Sequence, residues 1–244
     1  MRIRKQILLL LLLMSVTAFA LGDKNENLSM SDKIKIQKEM EYFKVYDPFE
    51  GFNQRIYYFN YGFDKYIFLP AVNLYKFVTP EIARKGVTNF FENTENITTT
   101  VNSIAQGKVK KALRSIGRFT MNIAFGFGGI LDAGKSFGMP TPYEDFGLTL
   151  AHYGVGRGPY LVLPILGPSN LRDAFGKSVD SLATKDFYKA SDTRKLNSAG
   201  ITVLEAINTR GNNDFRYFES GEAFEYEYVK FLYTKYRMLQ EEEK

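Results

Sequence analysis

The chain of 244 residues contains no cysteine, no tryptophan and a single histidine, His152. Without thiols there are no disulfides, thiolate metal sites, thiol nucleophiles or Cys-linked lipid anchors. One imidazole argues against a zinc site of the usual His-rich kind. Beyond residue 20 no apolar run approaches the ~18–20 residues that a membrane-spanning helix needs. The repeated alternating segments of about 10 residues that build a membrane barrel are missing too. Aromatics, by contrast, are plentiful, with 21 Phe and 16 Tyr. That load excludes disorder throughout, and the length fits one large domain better than two.

The net charge of +5 invites a nucleic-acid reading, but its location counts against one. Residues 1–20 open with Arg2, Arg4 and Lys5, continue with the apolar run Ile7–Met14 and end in Ala18-Phe19-Ala20. A basic start, a short apolar stretch and a small-x-small cleavage site form a secretory signal peptide. Its removal takes away three basic residues and no acid, leaving a charge near +2. No nucleic-acid partner is expected. The exported remainder is either soluble or attached to a membrane from one side.

Residues 21–46 form a polar linker, with a short helix expected over Ser31–Phe43 capped by Ser31. Residues 47–240 read as a single helical domain, and 241–244 as a charged tail. Phe52, Ile56, Phe59 and Phe63 recur at helical spacing, which predicts an amphipathic helix over Phe49–Ile67. Beside that stripe runs a polar one at the same spacing: Asn53, Tyr57, Asn60 and Asp64. Pro70 opens a short helical piece to Val78, and Thr79-Pro80 reads as an N-cap starting a helix to about Glu92. Ile97–Ala105 is a further short helix, ended by a left-handed Gly107. Val109, Ala112, Leu113, Ile116, Phe119 and Ile123 mark a longer helix from Lys108 to about Phe125. Ser169 can cap a helix to about Ala183; Asp192–Thr209 and Phe215–Gln240 read as helices.

Between Gly117 and Gly176 lie 12 of the 20 glycines and five of the eight prolines. The pieces between them are apolar, unlike an ordinary solvent loop. They suggest irregular backbone buried against something, or a lid next to lipid. The fold class expected is therefore all-α, interrupted by one long Gly/Pro-rich apolar insertion.

Enzyme motifs are absent. Gly126-x-Gly128-Gly129 and Gly154-x-Gly156-x-Gly158 lack the spacing and strand–turn–helix setting of a dinucleotide site. No GxSxG elbow exists, and Ser169 suits a cap better than a nucleophile. His152 with Asp145 is half a triad at most, and a packed or hydrogen-bonded loop role suits His152 better. Glu144-Asp145 lies at an expected helix start, where acids favour the positive dipole end. Glu222, Glu225 and Glu227 read as a solvated face of the last helix. No catalytic residue, cofactor or metal is expected.

The asparagines carry more information. Asn53, Asn60, Asn89, Asn102 and Asn122 each lie within two residues of an apolar side chain. Burying a carboxamide is costly unless it is hydrogen-bonded. Either these amides cap turns and tie loops together, or they belong to a mixed surface that accommodates a molecule of both characters, such as a phospholipid.

Tyr46-Asp47-Pro48-Phe49-Glu50-Gly51-Phe52-Asn53-Gln54-Arg55-Ile56-Tyr57-Tyr58-Phe59-Asn60 resembles the opening signature of the MlaA (VacJ) family. The resemblance continues in order through Asn89-Phe90-Phe91-Glu92-Asn93, Gly117-Arg118-Phe119 with Asn122, and Gly126–Asp132. Glu144–Leu150, Tyr153–Tyr160 and Gly167–Asp173 extend it, and it weakens over Leu204–Arg210. It implies a ring-like set of amphipathic helices in the inner leaflet of an outer membrane, reached after export, on the periplasmic side. It further implies binding to a porin trimer, and a central channel that takes misplaced outer-leaflet phospholipids and passes them to a periplasmic carrier. A porin-associated scaffold without a channel is the alternative. The family is typically lipidated on a Cys after the signal peptide, and this chain has none; attachment would then rest on aromatic helix faces and the porin.

In such a conduit the Asn53/Tyr57/Asn60/Asp64 stripe is expected to line or shape the lipid path, with Phe52, Ile56, Phe59 and Phe63 packing inward or toward lipid. Arg118 and Arg172 are candidate headgroup partners, although Arg172 can simply pair with Asp173. Gly126, Gly128 and Gly129 are candidates for a mobile gate, because glycine permits backbone rearrangement at low steric cost.

Overall fold

A computed structural model describes residues 44–190, 198–219 and 224–242, with the backbone alone at 185–190 and 198. The signal peptide, most of the linker with its Ser31–Phe43 helix, Asp192 and Glu222 lie outside these residues. The chain is predominantly helical, as its periodicity leads one to expect. In order come α1 (Glu50–Phe63), a π turn (Asp64–Phe68), α2 (Leu69–Val78), α3 (Glu81–Ala105), α4 (Val109–Phe125) and α5 (Ala133–Ser136). They are followed by α6 (Phe146–His152), β1 (Tyr160–Leu163), β2 (Gly167–Asn170), α7 (Leu171–Ala190), α8 (Ser198–Gly211) and α9 (Glu225–Glu242).

Several expected boundaries move. Phe49–Ile67 divides into α1 and the π turn. The two helices expected within 79–105 are one, α3, because nothing between Glu92 and Ile97 breaks a helix. Its N-cap is Pro80, in extended conformation, and no side chain caps it, so Thr79 does not serve as one. Gly107 ends the turn after α3 at φ +70°, as read from sequence. Ser169 lies in β2 rather than at a helix cap. The last helix begins at Glu225, not Phe215, since Phe215–Glu219 is non-helical.

By their internal contacts the described residues form two compact units. The first comprises residues 44–67, 158–171, 215–219 and 224–240. Here β1 and β2 pair antiparallel, Tyr160 opposite Asn170 and Leu163 opposite Gly167. The buried centre is Tyr57, Tyr160 and Val162, packed by Tyr217, Tyr226, Val229 and Tyr233. Tyr57 meets Tyr217, Phe218 and Tyr226 edge-on at ring separations of 5.0, 5.8 and 5.6 Å, a favoured aromatic geometry.

The second unit comprises residues 68–157, 172–190, 198–214 and 241–242. Its frame is the α3–α4 hairpin, turned at Gly107. α8 packs on α2 and α3, and α5 on α4. Gly176 of α7 lies so close to α6 that a Cβ there would fall 2.4 Å from the Gly147 nitrogen. No described helix is long and apolar enough to cross a membrane.

Candidate functional site

The two helices of the hairpin are amphipathic in the reverse of the usual sense. The seam of α4 holds Ala112, Ser115, Arg118 and Asn122, at spacings of three and four. α3 buries Asn93, Thr94, Asn96, Thr99, Asn102 and Ser103. Of the apolar stripe that marked α4 in the sequence, Ala112 is buried in the seam beside the fully buried Ser115, while the larger side chains face outward: Val109 is 64% exposed, Leu113 63%, Ile116 43% and Ile123 46%. Ile82, Val101 and Ile104 of α3 are exposed as well. The polar seam is hydrogen-bonded: the Ser115 hydroxyl donates to the Asn96 carbonyl at 2.7 Å, and Asn102 donates to Asp180 at 3.0 Å. A polar interior with an apolar exterior is the arrangement that hydrocarbon surroundings reward.

Within this unit a cavity of about 600 Å³ lies between α3 and residues 132–143. Glu92, Glu95 and Asn96 line it from α3, and Lys135, Met139 and Tyr143 from the other segment. Burial pushes the Glu95 carboxyl up to about 7, and the carboxylates of Glu92 and Glu205 add to the effect. Behind the wall Arg118 donates to Asp132 at 2.7 Å and to the Met139 carbonyl at 3.0 Å. Burial alone would raise the Asp132 carboxyl, but the Lys135 backbone N–H and Arg118 outweigh it and hold it low. A smaller cavity of about 140 Å³ has mostly apolar walls, among them Ile97, Val101, Phe146 and Val179.

The sequence-predicted stripe of α1 lies in the first unit and is buried: Asn53 0%, Tyr57 1%, Asn60 3% and Asp64 5% exposed. Asn53 donates to the Tyr160 carbonyl at 3.0 Å and accepts from the Val162 N–H at 2.9 Å, as a neighbouring strand would. Asn60 repeats the device two turns on, donating to the Leu163 carbonyl at 3.0 Å and accepting from Ile165 N–H at 2.7 Å. Tyr57 donates to Glu225 at 2.6 Å; burial first, then this bond, raises its pKa. Glu225 also accepts the Phe218 N–H at 2.6 Å, so it is a buried acceptor and not part of a solvated face. Glu227 is engaged by Lys230 at 2.6 Å.

Arg172 donates to Asp173 at 3.0 Å, to Glu241 at 2.6 Å and to the Val155 carbonyl at 3.3 Å. The glycine segment is tied down by backbone bonds: Gly128 N–H to the Ile123 carbonyl, Gly129 N–H to the Asn122 carbonyl and Leu131 N–H to the Gly126 carbonyl. Asn89 donates to the Ile130 carbonyl at 2.8 Å. Asp145 caps α6 by accepting from Leu148 N–H at 2.7 Å. His152 is exposed at the end of α6 rather than packed in a loop, with its ring edge-on to Tyr153. Among the described residues no cluster of His, Asp and Glu could hold a metal ion.

Sequence reasoning did not read the buried polar seam of α3, although the signal was there: polar residues at 93, 96, 99 and 102 interleave with Ile97, Val101 and Ile104 on one helix.

A family model described as MlaA lipoprotein matches residues 45–240. An uncharacterised protein of Rickettsia bellii is 44% identical over 170 residues, covering 69% of this chain and 66% of the relative. The intermembrane phospholipid transport system lipoprotein MlaA of Escherichia coli K12 is 38% identical over 172 residues, covering 67% of this chain and 65% of that one. The chain thus spans just under two thirds of these relatives. A solved structure described as the structural basis for maintenance of bacterial outer membrane lipid asymmetry superposes with a TM-score of 0.57 at 32% identity. It covers 76% of this chain and all of the other.

Proposed function

Because the chain belongs to the MlaA lipoprotein family, we propose that it is the outer-membrane component of an intermembrane phospholipid transport system. It removes phospholipids misplaced in the outer leaflet through an amphipathic passage and hands them to a periplasmic carrier, so that lipid asymmetry is kept. The observation that carries this reading is the reversed amphipathicity of α3 and α4. Exposed Val109, Leu113, Ile116 and Ile123 in water would each forgo burial that is worth about 1.5–3 kcal/mol for a full aliphatic side chain. Against acyl chains the same face is solvated.

A phospholipid crossing a leaflet needs polar contacts for its head and apolar contacts for its tails. The mixed cavity between α3 and residues 132–143 supplies both. The Asn53/Tyr57/Asn60/Asp64 stripe acts within the first unit, where Asn53 and Asn60 hold the β1–β2 hairpin, and does not touch the lipid. Arg118 likewise steadies Asp132 and Met139 of the cavity wall, and Arg172 steadies Asp173 and Glu241. The Gly126–Gly129 turn acts as a gate when its backbone bonds open. The protein works as a passive conduit, not an enzyme, on the periplasmic side of the outer membrane, with a porin trimer as its neighbour. Without a lipidated cysteine, the apolar helix faces and that neighbour hold it there.

The test is outer-leaflet phospholipid in a deletion strain. Loss of the gene should raise it and the wild-type chain should restore it. A chain with Leu113→Ser, Ile116→Ser and Ile123→Ser should restore it poorly, and better again with an added lipidation cysteine. Unchanged outer-leaflet phospholipid in the deletion strain would overturn the reading.

A further inference from the structure

The smaller cavity, about 140 Å³, lies between α3 and α7 of the second unit, and the way these helices meet accounts for it. They meet through polar side chains spaced four apart on each. The Thr98 and Thr184 hydroxyls stand 3.5 Å apart, and Asn102 donates to the Asp180 carboxylate at 3.0 Å. One position back on each helix stand Ile97, Val101, Val179 and Ala183, which keep the same spacing and form the apolar walls. The hydrogen-bonded pairs hold the helices where they are, and the short side chains beside them leave the gap unfilled. Asp180 also accepts the Phe146 N–H at 2.8 Å, which fixes that ring in the lining.

Every polar side chain in this lining is engaged within the protein. Besides the pairs above, Asn102 accepts from Thr149 at 2.8 Å, Thr184 donates to the Asp180 carbonyl at 2.9 Å, and Thr94 donates to the Phe91 carbonyl at 2.7 Å. A peptide backbone or a lipid headgroup entering the slot would leave its own polar groups unsatisfied. A hydrocarbon has none to lose. The size agrees, because apolar cavities of roughly 150 Å³ stay dry and take up a small hydrocarbon. The mouth opens on apolar surface: Val101 is 58% exposed and Ala183 is exposed, and their neighbours Ile104 and Leu182 are 62% and 63% exposed. Val101 and Ile104 belong to the outward apolar face that the transport reading sets against acyl chains. Resting on that reading, we propose that the slot seats one acyl chain of a phospholipid of the surrounding leaflet, without regard to its headgroup. The chain supplies the dispersion contacts that the walls otherwise lack, and the headgroup stays outside.

The experiment uses the full chain in vesicles that carry a phosphatidylcholine with a photoreactive diazirine near the end of one acyl chain. After illumination, labelled residues are mapped by mass spectrometry. Label should collect on Ile97, Val101 and Val179 as well as on the outward face of α4. A choline, ethanolamine or glycerol headgroup on the probe should give the same yield in the slot. Ala183→Phe, which fills the slot from its mouth, should lower that yield by about tenfold and leave the label on α4 as it was. Val179→Ala, which widens the slot, should keep or raise the yield on Ile97 and Val101, and circular dichroism should show unchanged helix content in both variants. Label on α4 with none in the slot would overturn the proposal and leave the slot to an apolar side chain of a protein, with the membrane reading intact. A slot yield that follows the headgroup, or that persists in Ala183→Phe, would overturn it as well. Label on neither face would instead sink the membrane reading itself. Free palmitate added as a minor component should lower the yield only in proportion to its share of the chains; loss of most of the label would assign the slot to free fatty acids and overturn the phospholipid source.

Discussion

Two carboxamides do most of the organising in the first unit. Asn53 and Asn60 each offer a carbonyl and an N–H to β1 and to the turn that follows it, extending the ladder that the Tyr46 carbonyl begins at Tyr160 N–H. Asn60 also explains how Ile165 keeps φ +68°, a conformation that β-branched residues rarely adopt: its N–H is held at 2.7 Å by that amide. Asn53→Ala leaves the Val162 N–H and the Tyr160 carbonyl buried without partners, and should lower stability by about 2–4 kcal/mol. Chemical denaturation would show this as a lower midpoint at an unchanged slope. Phe52→Ala, one position away and 57% exposed, should move the midpoint little in detergent-free buffer. Glu95 gives a second prediction at this scale. Its folded pKa of about 7 exceeds the ordinary 4.5, so the stability linked to its proton is complete below pH 4.5 and lost as pH rises through 7. Glu95→Gln should therefore match the wild type in thermal midpoint near pH 4.5 and exceed it at pH 8.

Among the elements, α3 shows how little local sequence sets a helix boundary when nothing forbids continuation. Thr98, Thr99 and Thr100 are weak helix formers, yet the helix runs on to Ala105, because its buried polar face is satisfied along the whole hairpin. The β1–β2 hairpin went unread for the converse reason. Gly167-Pro168-Ser169-Asn170 has almost no strand propensity, and its order comes from pairing with β1 and from the amides of α1. In the glycine turn after α4, two neighbouring glycines should behave differently. A Cβ at Gly126 would stand 2.1 Å from the Leu131 carbonyl and 2.4 Å from that of Asn122, backbone atoms that cannot yield, whereas one at Gly128 would meet nothing within 4 Å. Gly126→Ala should cost more than about 2 kcal/mol, and Gly128→Ala only the ~1 kcal/mol of a left-handed alanine. Thermal melts of the two variants compare them directly.

For the molecule as a whole, acid is the limiting condition. Glu144 is buried, and burial would raise its carboxyl; Lys108 at 2.7 Å, Lys111 at 2.7 Å and Gln106 at 2.8 Å outweigh that and hold it low. Against the same cost of burial, Asp132 is held low by the Lys135 backbone N–H and Arg118, and Glu241 by Arg157 and Arg172. Carboxyls with depressed folded pKa values contribute stability that is present above their ordinary values and lost as pH falls through the folded ones. Stability should therefore drop steeply below about pH 4, and added salt should soften the loss little, because the Glu144 cluster is buried. Partition into vesicles is the other whole-molecule test. The Leu113→Ser, Ile116→Ser, Ile123→Ser chain should bind vesicles at least tenfold more weakly than the wild type while keeping its helix content, as co-sedimentation and circular dichroism would report.

Much of this protein is written in its sequence. The ordered motifs from Tyr46 to Arg210 identify the family, Pro70 marks the start of α2, and hydrophobic periodicity places α1 and α4 within a few residues, because local spacing suffices to say which side chains share a face. Which medium each face meets is another matter. The stripe of Val109, Leu113, Ile116 and Ile123 would look the same whether it filled a core or met lipid, and the asparagines of α1 would look the same whether they lined a channel or held a hairpin. Only the tertiary structure shows that the stripe is exposed and that the asparagines are buried against the hairpin. Periodicity is a property of one helix, whereas burial depends on what other elements bring against it, and here they bring polar groups to the seam and leave the apolar side bare.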